Sequence, residues 1–131
     1  MKILFQPEDS KIHHYEVQQT DFASFQSGTV HRVCSTFALG REMEWSSRLF
    51  VLEMMDEDEE GVGTFLEIRH QGPAFEGETL RITATLESLL DNELICAIEV
   101  KVAERIVAKG KTGQKVLKKD KINQIFTRLE K

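Results

Sequence analysis

Three side chains that can together move a proton and direct a nucleophile lie between residues 36 and 70. They are the hydroxyl of Thr36, the carboxylate of Glu44 and the imidazole of His70. A neutral imidazole can accept a proton at neutral pH from water or from a hydroxyl, which can then attack an acyl carbon. The carboxylate can orient the imidazole or position the attacking water. These residue types therefore indicate acyl-transfer chemistry, provided that the fold assembles them.

Each of the three residues also has a purely structural interpretation. The threonine stands where a helix is expected to begin, so it or Ser35 can serve as the N-cap. Glu44 has Arg41 three residues before it and Arg48 four residues after it, so a plain ion pair on a helix surface is available. The histidine can cap the end of a strand and bond its turn. The sequence leaves these alternatives open.

The apolar residues after position 36 predict one long helix over residues 36–55. They are spread around most of the helix, which is typical of a helix enclosed by other structure. The acidic run 56–60 is unfavourable at the negative end of a helix dipole, so the helix should end near Met55. Eight residues of helix rise by about 12 Å, so Thr36 and Glu44 cannot touch. Either His70 and the substrate bridge them, or the site draws on two protomers.

Alternating apolar and polar residues predict an antiparallel sheet after this helix. Period-2 patterns cover 62–69, 80–87, 94–102 and 106–116, with turns at Asp91-Asn92 and Glu104-Arg105.

The rest of the chain completes the predicted architecture. A short strand is expected over His13–Val17, a loop over 20–28, and an amphipathic helix over Lys119–Leu129. One face of the sheet should be buried, and only the 36–55 helix is large and apolar enough to cover it. The order of elements predicts an α+β hotdog fold, a sheet wrapped around one helix, with residues 1–131 as a single domain. This fold leaves an exposed edge strand, which proteins often cover by pairing it with the same edge of a second copy, so we expect a dimer.

Composition narrows the classes of function. The chain of 131 residues is 40% hydrophobic and 30% charged, as in a globular protein, and its net charge of −5 argues against nucleic acid as a partner. It has no apolar run near the roughly 20 residues of a membrane span, and its first residues do not form a secretory signal. Cys34 and Cys96 belong to no metal-binding pattern and are expected as reduced thiols in the cytoplasm, although one disulfide is possible. His13 and His14 should face opposite ways on a strand, so we expect no bound metal.

Two ordered phrases of the sequence resemble one known family. The first runs from Thr20-Asp21 through Phe25-x-Ser27-Gly28 to Val33-x-Ser35-Thr36, and the second is Gly63-Thr64, Arg69-His70, Pro73 and Gly77. Together they resemble the fluoroacetyl-CoA-thioesterase-like family of hotdog thioesterases.

The resemblance implies a catalytic set and a binding site. Thr36, Glu44 and His70 correspond to the family's catalytic residues, and Gly63 to a glycine that lines the acyl pocket. Family members usually have Pro directly after the threonine, where this chain has Phe37. We expect Phe37 to fill part of the acyl pocket, which leaves the size of the substrate open.

The implied activity is hydrolysis of a small or medium acyl-CoA thioester by a cytoplasmic homodimer. His70 would activate water or Thr36, Glu44 would orient it, and helix N-terminal amides near Phe37 and Ala38 would hold the oxyanion. CoA would be part of the substrate, so no retained cofactor is expected.

Three alternatives fit the same fold, because a fold does not determine a function. They are a non-catalytic module that binds acyl-CoA or fatty acid, a hotdog hydratase or dehydratase, and a structural dimer that binds no ligand. The sequence also leaves open the acyl length, any halogen preference and whether dimers pair into tetramers. It does not decide which of Arg69, Lys109 and Lys111 would meet the phosphates of CoA.

Overall fold

A computed structural model describes residues 1–130 of the chain. Five antiparallel strands form one sheet in the order β1-β5-β6-β7-β4, and β2 and β3 form a separate hairpin. The elements in chain order are β1 (Ser10–Glu16), a 3₁₀ turn (Gln19–Asp21), β2 (Phe22–Phe25), β3 (Gly28–Cys34), α1 (Thr36–Met54), β4 (Glu59–His70), β5 (Thr79–Leu90), β6 (Glu93–Val102), β7 (Arg105–Lys118) and α2 (Lys119–Leu129).

Helix α1 lies in the concave face of the sheet, as the pattern over residues 36–55 predicts. Its first turn is capped by Ser35, whose Oγ accepts a hydrogen bond of 3.0 Å from the amide of Ala38. The side of α1 that meets the sheet carries large, fully buried side chains, which form the core with the inward residues of β5, β6 and β7. On α1 these are Leu39, Met43, Phe50, Val51 and Met54.

The opposite side of α1 is exposed, which corrects the expectation that other structure encloses the helix on most sides. We call this side the outer stripe; it consists of Phe37, Arg41, Trp45 and Leu52, with the half-buried Arg48 at its border with the side that faces β4. Phe37 is 79% exposed and Trp45 is 42% exposed. One curved sheet covers only part of the circumference of a helix, so apolar residues on the remaining side stay uncovered within one chain.

The loop expected over residues 20–28 is the second correction. This segment includes the 3₁₀ turn and β2, which pairs with β3 in an antiparallel hairpin. Two register irregularities in β2 interrupt its alternation, and most of the hairpin is exposed. A strand with neither a regular period nor a buried face has no hydrophobic pattern by which it could be recognised.

The four strand patterns after the helix and the final helix are confirmed, with two local differences. The second turn lies at Ala103-Glu104, one residue before the predicted position, and Ala103 has a positive φ of 51°. In β4, a register irregularity between Gly63 and Phe65 interrupts the alternation. Gly63 and Leu66, predicted on opposite faces, therefore both point toward α1.

Three further features bear on the predicted class of protein. Both cysteines are buried as free thiols. Within residues 1–130, no helix has the length and apolar character needed to cross a membrane. In the same part of the chain, no three His, Cys, Asp or Glu side chains are grouped to hold a metal ion.

Candidate active site

The catalytic candidates lie along the seam between α1 and β4, which run antiparallel. Four residues of α1, each four positions after the last, form one stripe that faces β4. The pairs are Thr36 with His70, Gly40 with Leu66, Glu44 with Gly63, and Arg48 with Glu60. The sequence therefore folds so that the hydroxyl and the imidazole meet at one end of the seam.

Thr36 and His70 are in direct contact. The Oγ1 atom of Thr36 lies 3.0 Å from Nδ1 of His70, a hydrogen bond in which either atom can be the donor. Ser35 supplies the helix cap, so the hydroxyl of Thr36 is not used for capping. His70 is the last residue of β4 and lies directly opposite Ala108 of β7. Residues opposite each other in an antiparallel pair point to the same face of the sheet, and Ala108 is buried, so both lie on the concave face. The two side chains are exposed to solvent and can meet a substrate.

Glu44 stands apart from this pair. It is two helical turns after Thr36, about 12 Å along the axis of α1. Its carboxylate lies directly over the backbone of Gly63, where a Cβ added to the glycine would be 2.7 Å from Oε1. Within one protomer the structure brings Thr36 to His70 but does not bring Glu44 to either of them.

The carboxylate of Glu44 has no hydrogen-bond or salt-bridge partner among residues 1–130. The two arginines that could have paired with it bind other carboxylates: Arg48 pairs with Glu60 at 3.0 Å, and Arg41 binds Asp21 and Glu42. An exposed carboxylate held against a strand backbone without a cationic partner is available to a group from outside the protomer.

A buried amide fixes the turn of α1 that carries Glu44. The side chain of Gln114 on β7 is 2% exposed, and its Nε2 donates to the carbonyl of Glu44 at 3.1 Å and to Oγ of Ser47 at 2.8 Å. This clamp ties the middle of α1 to the sheet and sets the height of Glu44 above Gly63. Sequence patterning does not single out Gln114.

The resemblance predicts that Gly63 lines the acyl pocket, where a glycine lets a substrate pass close to the backbone. In this protomer the room left by the missing side chain is used by the carboxylate of Glu44. The glycine therefore determines where that carboxylate can sit.

A hollow of about 620 Å³ lies between the β2–β3 hairpin and the start of α1. Thr36 is in its wall, and its apolar lining includes Phe22, Phe25, Val30 and Phe37. Phe37 thus lies beside the candidate nucleophile, in a space large enough for an acyl group.

One of the two amides expected to hold an oxyanion is already bonded. The amide of Ala38 donates to the cap oxygen of Ser35. The amide of Phe37 has no acceptor among residues 1–130, as is usual for the first turn of a helix. It is a free donor directly after Thr36 in the chain.

A polar cluster under the hairpin was missed in the sequence. Asp21 is 2% exposed and accepts hydrogen bonds from the Tyr15 hydroxyl at 2.7 Å and from Arg41 at 2.9 Å. Arg41 also donates to Glu42, whose other oxygen bonds His13. Burial opposes ionisation of Asp21, but the bonds from Arg41 and Tyr15 outweigh it and hold its pKa below the usual value. Burial and the bond to Asp21 raise the pKa of Tyr15 to about 12.

This cluster holds the junction between the hairpin and α1. The carbonyl of Asp21 accepts from the amide of Ser35 at 2.7 Å, immediately before Thr36. The pair Thr20-Asp21 in the first family-like phrase was the only signal for it. His13 is a member of this cluster, whereas its neighbour on β1, His14, is exposed.

A second hollow, of about 380 Å³, lies beside Glu44 on the outer side of α1. It is lined by His13, Arg41, Glu42, Glu44, Trp45 and Arg48. Arg41 belongs to the lining of both hollows, so the two are neighbours along the helix.

Comparison with known proteins supports the assignment of the fold and the family. The model of a family described as fluoroacetyl-CoA-specific thioesterase matches residues 17–120. A search of curated proteins finds no significant match.

Solved structures resemble the chain over nearly its whole length. A hypothetical protein of Thermus thermophilus, described as a thioesterase superfamily member, has 28% identity and a TM-score of 0.91, covering 95% of this chain and 93% of that one. The fluoroacetyl-CoA thioesterase FlK has 16% identity and a TM-score of 0.89, with coverage of 97% and 98%. A hot-dog-like protein from Thermanaerovibrio acidaminovorans has 18% identity and a TM-score of 0.87, with coverage of 98% and 96%. The hotdog fold predicted from the sequence is thereby confirmed.

Proposed function

The chain belongs to the fluoroacetyl-CoA-specific thioesterase family, and from this premise we propose that it hydrolyses a small or medium acyl-CoA thioester. The observation that carries the proposal is the 3.0 Å contact between Thr36 Oγ1 and His70 Nδ1 at the start of α1. It joins a hydroxyl to a base beside an acyl-sized hollow. We also propose that the protein is a single-domain homodimer of the cytoplasm.

The reaction begins with a proton transfer to His70. The imidazole takes the proton of the Thr36 hydroxyl, or of a water molecule held by that hydroxyl, and the oxygen attacks the thioester carbonyl. The amide of Phe37 donates to the oxyanion of the tetrahedral intermediate, with the positive end of α1 behind it. The C–S bond then breaks, and the thiolate of CoA receives the proton from His70. If Thr36 is the nucleophile, water hydrolyses the acyl ester in a second round with the same base.

Glu44 enters this scheme through a second protomer. β4 is an edge strand of the sheet. Its concave side carries both His70 and Gly63, over which the carboxylate of Glu44 lies. Antiparallel pairing of two β4 edges about a two-fold axis brings the Gly63 end of one strand toward the His70 end of the other. The unpartnered carboxylate of Glu44 would then orient His70 of the second copy or the attacking water.

The activity is tested with a panel of acyl-CoA substrates of increasing chain length. Purified protein should release free thiol together with the carboxylic acid, and both products should fall in His70→Ala. His14→Ala is the matched control, because it removes an exposed imidazole away from the seam. Saturable binding without thiol release would identify a binding module, and an altered acyl chain on an intact thioester would identify a hydratase. Either result would contradict the proposal.

The shared site is tested by mixing two inactive variants. Glu44→Gln and His70→Ala dimers are dissociated, combined in equal amounts and allowed to reassociate. If each site uses His70 of one protomer and Glu44 of the other, half of the dimers carry one intact site, and about a quarter of wild-type activity returns. No recovery, with mixed dimers demonstrated by mass spectrometry, would show that Glu44 does not act across the dimer.

A further inference from the structure

We propose that the outer stripe of α1 binds the nucleotide part of CoA, with the adenine on Trp45 and the phosphates on Arg41 and Arg48. The placement rests on the proposed function, since it takes the thioester to lie at Thr36. It assigns a ligand to the hollow beside Glu44. It also assigns the binding of the CoA phosphates to Arg41 and Arg48 and not to Arg69, Lys109 or Lys111.

The path from the reacting pair to this hollow is continuous. Arg41 lines both the hollow at Thr36 and the hollow at Trp45. Trp45 is nine residues after Thr36, about 13 Å along the helix axis. The extended pantetheine arm of CoA is longer than this rise, so a thioester held at Thr36 can place its nucleotide over Trp45.

The indole of Trp45 has the exposure and the neighbours expected of a stacking surface. It is 42% exposed and lines a hollow of about 380 Å³, with Arg41 one turn before it and Arg48 nearly one turn after it. Bases stack well on exposed aromatic rings whatever their identity, and a purine offers the largest face. A large exposed aromatic ring between two arginines is therefore well suited to an adenine with phosphates attached.

Both guanidinium groups are held in place but keep free donors. Arg41 binds Glu42 through Nε, and Asp21 and Tyr15 through Nη2, and its side chain is still 55% exposed. Its Nη1 has no partner among the residues that the structure describes. Arg48 binds Glu60 through Nη2 alone. Guanidinium groups fixed in this way lose little entropy when they bind phosphate oxygens.

The carboxylates around the hollow set the expected strength of binding. Asp21, Glu42 and Glu60 outnumber the two arginines with which they pair, and the unpaired Glu44 adds a fourth carboxylate, so phosphate binding depends on directed hydrogen bonds that act against the net potential. The carboxylate of Glu44 lies over Gly63, on the β4 side of the helix. Trp45 is directed about 100° further round the axis, so the stacking surface and this carboxylate do not coincide.

Trp45 is the only tryptophan of the chain, so its fluorescence reports on this site alone. CoA and adenosine 3′,5′-bisphosphate should each change the emission saturably, whereas pantetheine should not. Arg48→Gln should weaken both affinities by about five- to tenfold, because a charge-assisted bond to phosphate is lost. Lys115→Gln is the matched control: it removes an exposed lysine from β7 and should change the affinities less than twofold.

This titration needs no turnover, so it separates the nucleotide site from the proposed reaction. No saturable signal from adenosine 3′,5′-bisphosphate, or equal weakening by both variants, overturns the inference even if thioesters are hydrolysed. A positive titration without thiol release supports the nucleotide site and contradicts the proposed function.

A kinetic comparison links the site to the substrate. Trp45→Ala should raise KM for an acyl-CoA about tenfold more than KM for the matching acyl-pantetheine, because only the former carries the base. Equal increases for the two substrates would mean that Trp45 supports the fold and not the nucleotide, and would overturn the inference.

Discussion

A single methyl group on Gly63 provides a sharp test of the role of Glu44. In Gly63→Ala the added Cβ would lie 2.7 Å from Oε1 of Glu44, whereas ordinary contact begins at 3.4 Å. The carboxylate must therefore move by about 0.7 Å. Since a misplacement of about 1 Å at a reacting group can reduce a rate about 100-fold, we expect a loss of about 10- to 100-fold in kcat, or about 1.4–2.7 kcal/mol.

Stability should not follow activity in this variant. The group that must move is the far end of an exposed, flexible side chain, and Gly63 is not among the glycines with positive φ. Replacing such a glycine by alanine reduces the entropy of the unfolded chain, which stabilises by about 0.4–1 kcal/mol. The free energy of unfolding in urea should therefore be unchanged or slightly raised.

The assay compares kcat for thiol release with urea unfolding of the same preparation. Gly77→Ala is the control, because Gly77 has a φ of +85° and the alanine should cost about 1–3 kcal/mol of stability without lowering kcat. Gly63→Ala should cause no further loss in a Glu44→Gln background. Wild-type turnover by a folded Gly63→Ala protein would refute the reasoning that the position of Glu44 governs the rate.

Three further predictions concern buried polar groups. Asp21→Asn should lower the free energy of unfolding by about 1–2 kcal/mol at pH 7, because Tyr15 and Arg41 lose a charged acceptor while the half-exposed Arg41 keeps Glu42. The pKa of Asp21 is depressed in the folded state, so the stability that its carboxylate contributes is present above the usual pKa of 3.8 and is lost as the pH falls through the folded pKa. The difference in unfolding free energy between wild type and Asp21→Asn should therefore shrink at low pH, and an equal difference at pH 2 and pH 7 would contradict this. Burial raises the pKa of Cys34 and Cys96 to about 12, so neither thiol should react with a disulfide reagent at pH 8 until the protein unfolds. Rapid labelling of the native protein would contradict this prediction. Gln114→Met should cost about 1–3 kcal/mol of stability in urea, because the clamp on α1 loses both donated bonds, and an unchanged midpoint would show that the clamp is dispensable.

The elements with a regular hydrophobic period could be predicted from the sequence. Helix α2 has the predicted bounds, Lys119–Leu129, and α1 ends one residue before the predicted end. Both follow from local periodicity and from the helix end signals in the sequence. The wrapped sheet follows because α1 was the only large apolar element that could cover it.

The features that sequence could not give depend on contacts between distant segments. The irregularity at Thr64 turns Gly63 toward α1, and no periodic pattern encodes such a break. The contact between Thr36 and His70 was implied only by resemblance, since 34 residues separate them. The cluster around Asp21 joins β1, the 3₁₀ turn and α1, and the clamp of Gln114 joins β7 to α1 across about 70 residues, so neither has a local signature.

The most direct test of the central claim is the turnover of His70→Ala with and without added imidazole. If His70 is the base that acts on Thr36 or on its water, kcat should fall at least 100-fold and free imidazole should restore part of it. His14→Ala should keep the wild-type rate. Wild-type turnover by a folded His70→Ala protein would contradict the account.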